Sequence, residues 1–132
     1  MSLNMHQSKY LETSVQTATP GQLLLMLYDG AAKNCRMAIE SIKLQNFADA
    51  NRFLIKAQDI ISELLITLDR SVPISEQLGM LYNYFIERLI QANLKKDIEP
   101  VQEVLSYVVD LRETWTQAIK ANGGTQSVEA NA

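Results

Sequence analysis

The sequence is short of the residue types that build most active centres. Among 132 residues there is one histidine, His6, and one cysteine, Cys35. A single cysteine forms no internal disulfide, which suits a reducing compartment. Zinc sites need clusters of histidine and cysteine, hydrolase triads need a histidine base, and di-iron bundles need a Glu-x-x-His on each of two helices. His6 stands outside every helical segment, so none of these is expected. Glycine is scarce, with five residues, and no Gly-x-x-x-x-Gly-Lys loop is present. Neither metal nor cofactor is expected, and the chain does not read as an enzyme. Charge of one sign is not concentrated: 12 basic residues face 15 acidic ones, for a net charge of −3. Without a basic block interleaved with aromatics, nucleic acid is not an expected partner. The longest unbroken apolar run, residues 23–28, is six residues, against the ~20 that cross a bilayer, so membrane insertion is not expected. No charged-then-apolar leader opens the chain, which argues against a signal peptide and for a cytoplasmic protein. Met1-Ser2-Leu3 ahead of a second methionine, Met5, reads equally as an added leader or a native start.

What is present is helical periodicity. Residues 1–16 are polar, with Tyr10, Leu11 and Val15 as the apolar exceptions, and read as an N-terminal arm or short helix. Residues 123–132 carry no periodicity and read as a disordered tail. Residues 17–122 between them divide into four segments. The first opens on Thr19-Pro20-Gly21-Gln22, a Thr-x-x-Gln capping box with proline at the first helical position, and runs to about Leu44. Asn46 caps a second segment to about Leu68, with Ala50, Leu54, Ala57, Ile61, Leu64 and Leu68 as one apolar stripe. Residues 69–73 break the pattern. A third segment starts near Ile74 or Ser75 and carries Leu78, Leu81, Phe85, Leu89 and Ala92; Lys95 and Lys96 close it where cations favour the helix dipole. Asp97 caps a fourth, whose first turn tolerates Pro100 and whose inner face holds Val101, Val104, Val108, Leu111, Trp115 and Ile119. Asn122-Gly123 is a stop signal. Four segments of roughly 20–26 residues, about 30–39 Å long at 1.5 Å per residue, joined by links of a few residues, predict an all-α fold: an antiparallel up-down-up-down four-helix bundle.

The functional signal is apolar surface where a bundle is ordinarily polar. At 100° per residue, Ile55 and Ile66 fall opposite the stripe of the second segment, on a face shared with Ala48, Asp59 and Ser62. On the third, Met80 and Tyr84 lie off the core to one side, and Ile90 and Leu94 to the other. The fourth has a polar outer face of Gln102, Glu103, Ser106, Asp110, Glu113 and Gln117. Asp110 and Glu113 there read as solvated charge, and Cys35 as a small packing residue. The run Leu23-Leu24-Leu25-Met26-Leu27-Tyr28 covers the whole circumference of the first segment, so it needs cover from the bundle, from the arm, from a second subunit or from a client. Outward apolar residues at matching levels of two antiparallel helices can line grooves for an amphipathic partner. The candidate contacts are Ile55, Gln58, Asp59, Ser62 and Ile66 on the second segment and Met80, Tyr84 and Glu87 on the third, with Tyr10 and Leu11 as a displaceable cap. Lys56, Asn83, Arg88 and Asn93 read either as partner contacts or as hydrogen bonds inside the bundle; Asn83 and Arg88 are taken as the latter.

An ordered set of short matches then resembles the flagellar export chaperone family FliS. It runs from Tyr10 through Val15-Gln16-Thr17-Ala18-Thr19-Pro20 and Leu25-Met26-Leu27-Tyr28-Asp29-Gly30-Ala31. It continues through Lys56-Ala57-Gln58-Asp59-Ile60-Ile61 and Leu81-Tyr82-Asn83-Tyr84 to Arg88-Leu89-Ile90-Gln91-Ala92-Asn93-Leu94. It ends at Glu103-Val104 and Leu111-Arg112-Glu113-Thr114-Trp115. The resemblance implies a helical bundle without catalysis that binds the C-terminal segment of flagellin, hides its polymerising surface and delivers it to the type III export gate. It implies an arm that covers part of the client surface, and a further export-gate component or co-chaperone as partner. Many members carry a longer, glycine-containing link before the third helix; here that link is Ser71-Val72-Pro73-Ile74. Two alternatives stay open: a structural bundle whose excess apolar surface forms a homodimer, and a regulatory adaptor for another export-related protein.

Overall fold

The computed structural model describes residues 18–122. The expected arm and tail, with Tyr10 and Leu11, lie outside the described residues. Four helices follow one another: α1 (Pro20–Lys43), α2 (Phe47–Ile66), α3 (Ile74–Lys95) and α4 (Ile98–Ala121). Each packs on its neighbours in the order α1, α2, α3, α4 and back to α1, closing a four-helix bundle. Links of two to seven residues leave consecutive helices no room to run parallel.

The helix starts follow local chemistry. The Thr19 hydroxyl accepts from the Gln22 N–H at 3.1 Å, and the Gln22 side chain accepts from the Thr19 N–H at 3.0 Å, completing the capping box. Asn46 accepts from the Asp49 N–H, and Asp97 from the Glu99 N–H. For α3 the start is different. No side chain caps it; instead Asp69 Oδ1 accepts from both the backbone and the hydroxyl of Ser71, shaping the preceding turn. None of the three links contains glycine, yet two of them place a residue in left-handed conformation, Gln45 (φ 58°) and Lys96 (φ 52°). At the second, the Lys96 ammonium donates to the Asn93 carbonyl at 2.7 Å, satisfying an acceptor that the helix end leaves free. The second helix stops two residues before its predicted end: Thr67 caps it, its N–H donating to the Glu63 and Leu65 carbonyls. Leu68 stays buried beyond the helix, so the apolar stripe outlasts the helical backbone.

The predicted stripes build the core. Leu24, Tyr28, Ala31, Cys35 and Ala38 of α1 meet Leu54, Ala57, Ile61 and Leu64 of α2, Leu78, Phe85 and Leu89 of α3, and Val101, Val104 and Val108 of α4. Leu81, Leu111 and Ile119 pack at its margin, half-buried. Small residues draw α1 and α2 together. A side chain on Gly30 would stand 3.2 Å from the Ile60 methyl, so glycine there permits the close approach. Buried polar groups on α1 are satisfied within the helix: Asn34 donates to the Gly30 carbonyl and Ser41 to that of Met37. The core also holds a polar centre that the stripes did not reveal. The hydroxyls of Tyr28 (α1) and Tyr82 (α3) are 2.5 Å apart, and the Trp115 indole N–H (α4) donates to Tyr28 at 3.1 Å. Three helices are thereby joined through one buried oxygen. Burial raises the pKa of both tyrosines, keeping the hydroxyls protonated.

Candidate interaction surface

Ile55 follows Leu54 by 100° around α2, which takes it out of the core. It lies 45% exposed, and Ile66, three turns on, is 75% exposed. Between them Gln58 and Ser62 are half-buried and Asp59 is exposed. By helical spacing these five residues share one face of α2, and Ile55 and Gln58 border the seam with α3. On the α3 side of that seam stand Ile90 and Leu94, both exposed, the latter at 81%. Asn51, Ile55 and Gln58 of α2 with Ile90, Asn93 and Leu94 of α3 line an open groove of about 370 Å³, closed at one end by Lys96. The floor is bridged where Asn93 donates to Asn51 at 2.8 Å.

The third-helix candidates sit elsewhere. Met80 and Tyr84, with Gln77 and Leu81, line a second depression of about 330 Å³. Tyr84 turns towards α4 and donates its hydroxyl to Glu103 at 2.8 Å. Arg88 donates to the same carboxylate at 2.7 Å and to Gln91 at 2.9 Å. The Tyr84 and Arg88 donors hold the Glu103 carboxyl below its ordinary pKa. The Phe85 and Tyr107 rings also meet between α3 and α4, tilted at 44° with 5.5 Å between ring centres. The candidate set therefore divides between two seams. Ile55 and Gln58 flank α2–α3, Tyr84 turns to α4 with Met80 beside it, and Ile66 and Glu87 lie exposed on α2 and α3. Ile90 and Leu94, recognised as outward but left out of the candidate contacts, complete the α2–α3 groove. Their signal in the sequence was the same as that of Ile55.

The dual-natured polar residues separate cleanly. Arg88 and Asn93 bond inside the bundle. Asn83 does not: it is exposed and makes no hydrogen bond among the described residues, because its position one residue past buried Tyr82 turns it outward. Lys56 is exposed as well. The polar outer face of α4 is narrower than expected, since Glu103 is drawn into the α3–α4 seam and Tyr107 and Val109 are exposed at its flanks. On the opening helix, Leu24 and Tyr28 are buried, Leu25, Met26 and Leu27 are half-buried, and Leu23 is exposed, so the apolar run is only partly covered. Asp29 pairs with Arg112 across α1 and α4 at 2.6 Å. Cys35 is fully buried, and burial pushes its thiol pKa up to about 12. No group of three histidine, cysteine, aspartate or glutamate residues that could hold a metal ion occurs among the described residues. No helix among them is long and apolar enough to cross a membrane.

Comparison with known proteins agrees with this architecture. The family model described as flagellar protein FliS matches residues 2–122. The flagellar secretion chaperone FliS of Bacillus subtilis (strain 168) is 44% identical over 121 residues, covering 92% of this chain and 91% of the relative. Its namesake from Salmonella typhimurium is 33% identical, covering 81% of this chain and 82% of the relative. The Escherichia coli (strain K12) protein of that name is 30% identical, covering 83% and 82%. With nearly the whole bundle matched by the family model and by relatives of full length, the chain belongs to the FliS family of flagellar secretion chaperones.

Proposed function

We propose that this chaperone holds flagellin by its C-terminal segment along the α2–α3 groove, keeps the subunit from polymerising early, and hands it to the flagellar export apparatus. It works in the cytoplasm and turns over no substrate. The observation that carries this reading is the set of exposed aliphatic side chains lining one groove, Ile55 on α2 with Ile90 and Leu94 on α3, and the exposed Ile66 three turns along the same face of α2. Four large aliphatics on one side of a small bundle cost solubility unless a partner covers them. An amphipathic segment that folds as it binds covers such a strip well, at moderate affinity per unit area. The depression at Met80 and Tyr84 extends the available surface to the neighbouring seam, which suits a client that wraps rather than docks at one point. Relatives named as secretion chaperones support the same reading.

The test is titration calorimetry of the full chain with a flagellin C-terminal peptide. Binding with a negative heat-capacity change is expected. The double variant Ile55→Asp, Ile66→Asp should abolish binding while helicity and melting stay as in the parent. Retained binding by that variant places the client elsewhere. Sedimentation with and without peptide separates the homodimer reading: a dimer that ignores the peptide would favour it.

A further inference from the structure

The α2–α3 groove is not uniformly apolar, and the way its polar groups are used narrows what fits it. Three polar side chains on its floor and closed end are hydrogen-bonded to one another. Lys96 donates inward to the Asn93 side-chain oxygen at 2.5 Å, and Asn93 donates onward to Asn51 at 2.8 Å. The one cation in the groove is thus turned into the protein. Gln58 is different. It is half-buried, lines the groove and makes no hydrogen bond among the described residues, so its amide is available to an occupant. Gln58 and Asn51 stand seven residues apart, about 10.5 Å along the helix, so one incoming side chain reaches only one of them. Ile55 lies between them on α2, and Ile90 and Leu94 form the facing wall.

From this arrangement we infer that the groove reads a side-chain amide, an asparagine or glutamine of the client, set between aliphatic residues and paired with Gln58. This rests on the groove being the client site proposed above. A primary amide pairs with another through two parallel N–H···O bonds, using a donor and the acceptor of Gln58 together. A hydroxyl donates and accepts through a single oxygen, so its two bonds to Gln58 are bent rather than parallel. A carboxylate offers no donor to the Gln58 carbonyl, and Lys96 already gives two of its three N–H donors to Asn93. An aliphatic client residue at this level would leave the Gln58 amide half-buried without a partner, which is unfavourable. The client sequence implied is an amphipathic segment with a neutral amide on its apolar face.

The experiment is a double-mutant cycle read by calorimetry. The full chain and its Gln58→Leu and Ile55→Asp variants are titrated with a flagellin C-terminal peptide and with peptides in which each asparagine or glutamine is changed singly to leucine. Gln58→Leu is expected to weaken the parent peptide on the order of tenfold without changing the melting temperature. One peptide position should lose as much when changed to leucine, and the two changes together should cost no more than either alone. If Gln58→Leu binds the parent peptide as tightly as before, or if its loss adds to that of every amide, the amide pairing is overturned while the groove stands. If changing the coupled amide to its acid tightens binding, the groove reads a carboxylate and the inference fails. If the peptide does not bind the parent chain, or Ile55→Asp binds it normally, the client site itself falls, and the amide pairing with it.

Discussion

Tyr28 shows how much one oxygen can do in a small core. Its hydroxyl meets Tyr82 and accepts from Trp115, so side chains 54 and 87 residues away converge on it. Buried polar groups are costly when unpaired and stabilising when satisfied. Tyr28→Phe keeps the ring and removes the acceptor from the buried Trp115 N–H. It is expected to cost about 1–3 kcal/mol in urea unfolding, with far-ultraviolet dichroism unchanged. Cys35 supplies a second residue-scale prediction. With its thiol raised to about 12 by burial, it is protonated at neutral pH and shielded from solvent. A disulfide-exchange reagent should react with it only as fast as the protein unfolds, and at once in denaturant. Rapid labelling of the native chain would contradict its placement between the helices.

At the scale of elements, the helix starts and the α3–α4 seam carry separable tests. Among the described residues, the Thr19 capping box supplies the side-chain acceptors at the start of α1. Thr19→Ala is expected to cost about 0.5–2 kcal/mol, readable as a lower melting temperature. The seam between α3 and α4 is joined by the Glu103 carboxylate with Tyr84 and Arg88. Its donors lower the folded-state pKa of Glu103 below the ordinary value of 4.5. A lowered folded-state pKa contributes stability above the unfolded value and loses it as pH falls through the folded one. Comparing melting of the parent with Glu103→Gln should therefore show the parent ahead at neutral pH. The gap should close as the pH drops below about 4.5. A gap that persists unchanged in acid would mean that the charge of Glu103 does not hold the seam.

At the scale of the molecule, Leu54 and Ile55 illustrate a division of labour between adjacent residues. Leu54 is fully buried in the core, while Ile55 stands in the groove. Leu54→Ala should lower unfolding stability by about 2–5 kcal/mol through the cavity it leaves, yet bind a flagellin C-terminal peptide normally wherever it is folded. Ile55→Asp should do the reverse, leaving unfolding nearly unchanged and binding lost. Equal effects of both changes on both readouts would mean that core and client surface are not separate. The same division explains how a bundle of this size tolerates so much exposed aliphatic surface. Its stability comes from the inward stripes, so outward residues such as Ile55 are free to serve a partner.

The sequence by itself determined what is local in the chain. The Thr19-x-x-Gln22 box, the caps at Asn46 and Asp97 and the stripe from Ala50 to Leu68 act within one or two turns, so they are legible without knowing the fold. Short links then left an antiparallel bundle as the arrangement that buries all four stripes. Periodicity also showed which residues point outward, Ile55, Ile66, Met80, Tyr84, Ile90 and Leu94 among them. It did not show what each would face, because helical spacing fixes a direction only about the helix's own axis. Where a neighbouring axis lies depends on how each helix rolls to fit the side-chain volumes of the others. Tertiary packing therefore decided that Tyr84 turns to Glu103 on α4, that Ile90 and Leu94 join Ile55 in one groove, and that Tyr28 meets Tyr82 and Trp115. It also set the left-handed corners at Gln45 and Lys96, where no glycine marked the turn. The ordered matches along the chain carried the family, while the seam that each outward residue lines belongs to the folded bundle alone.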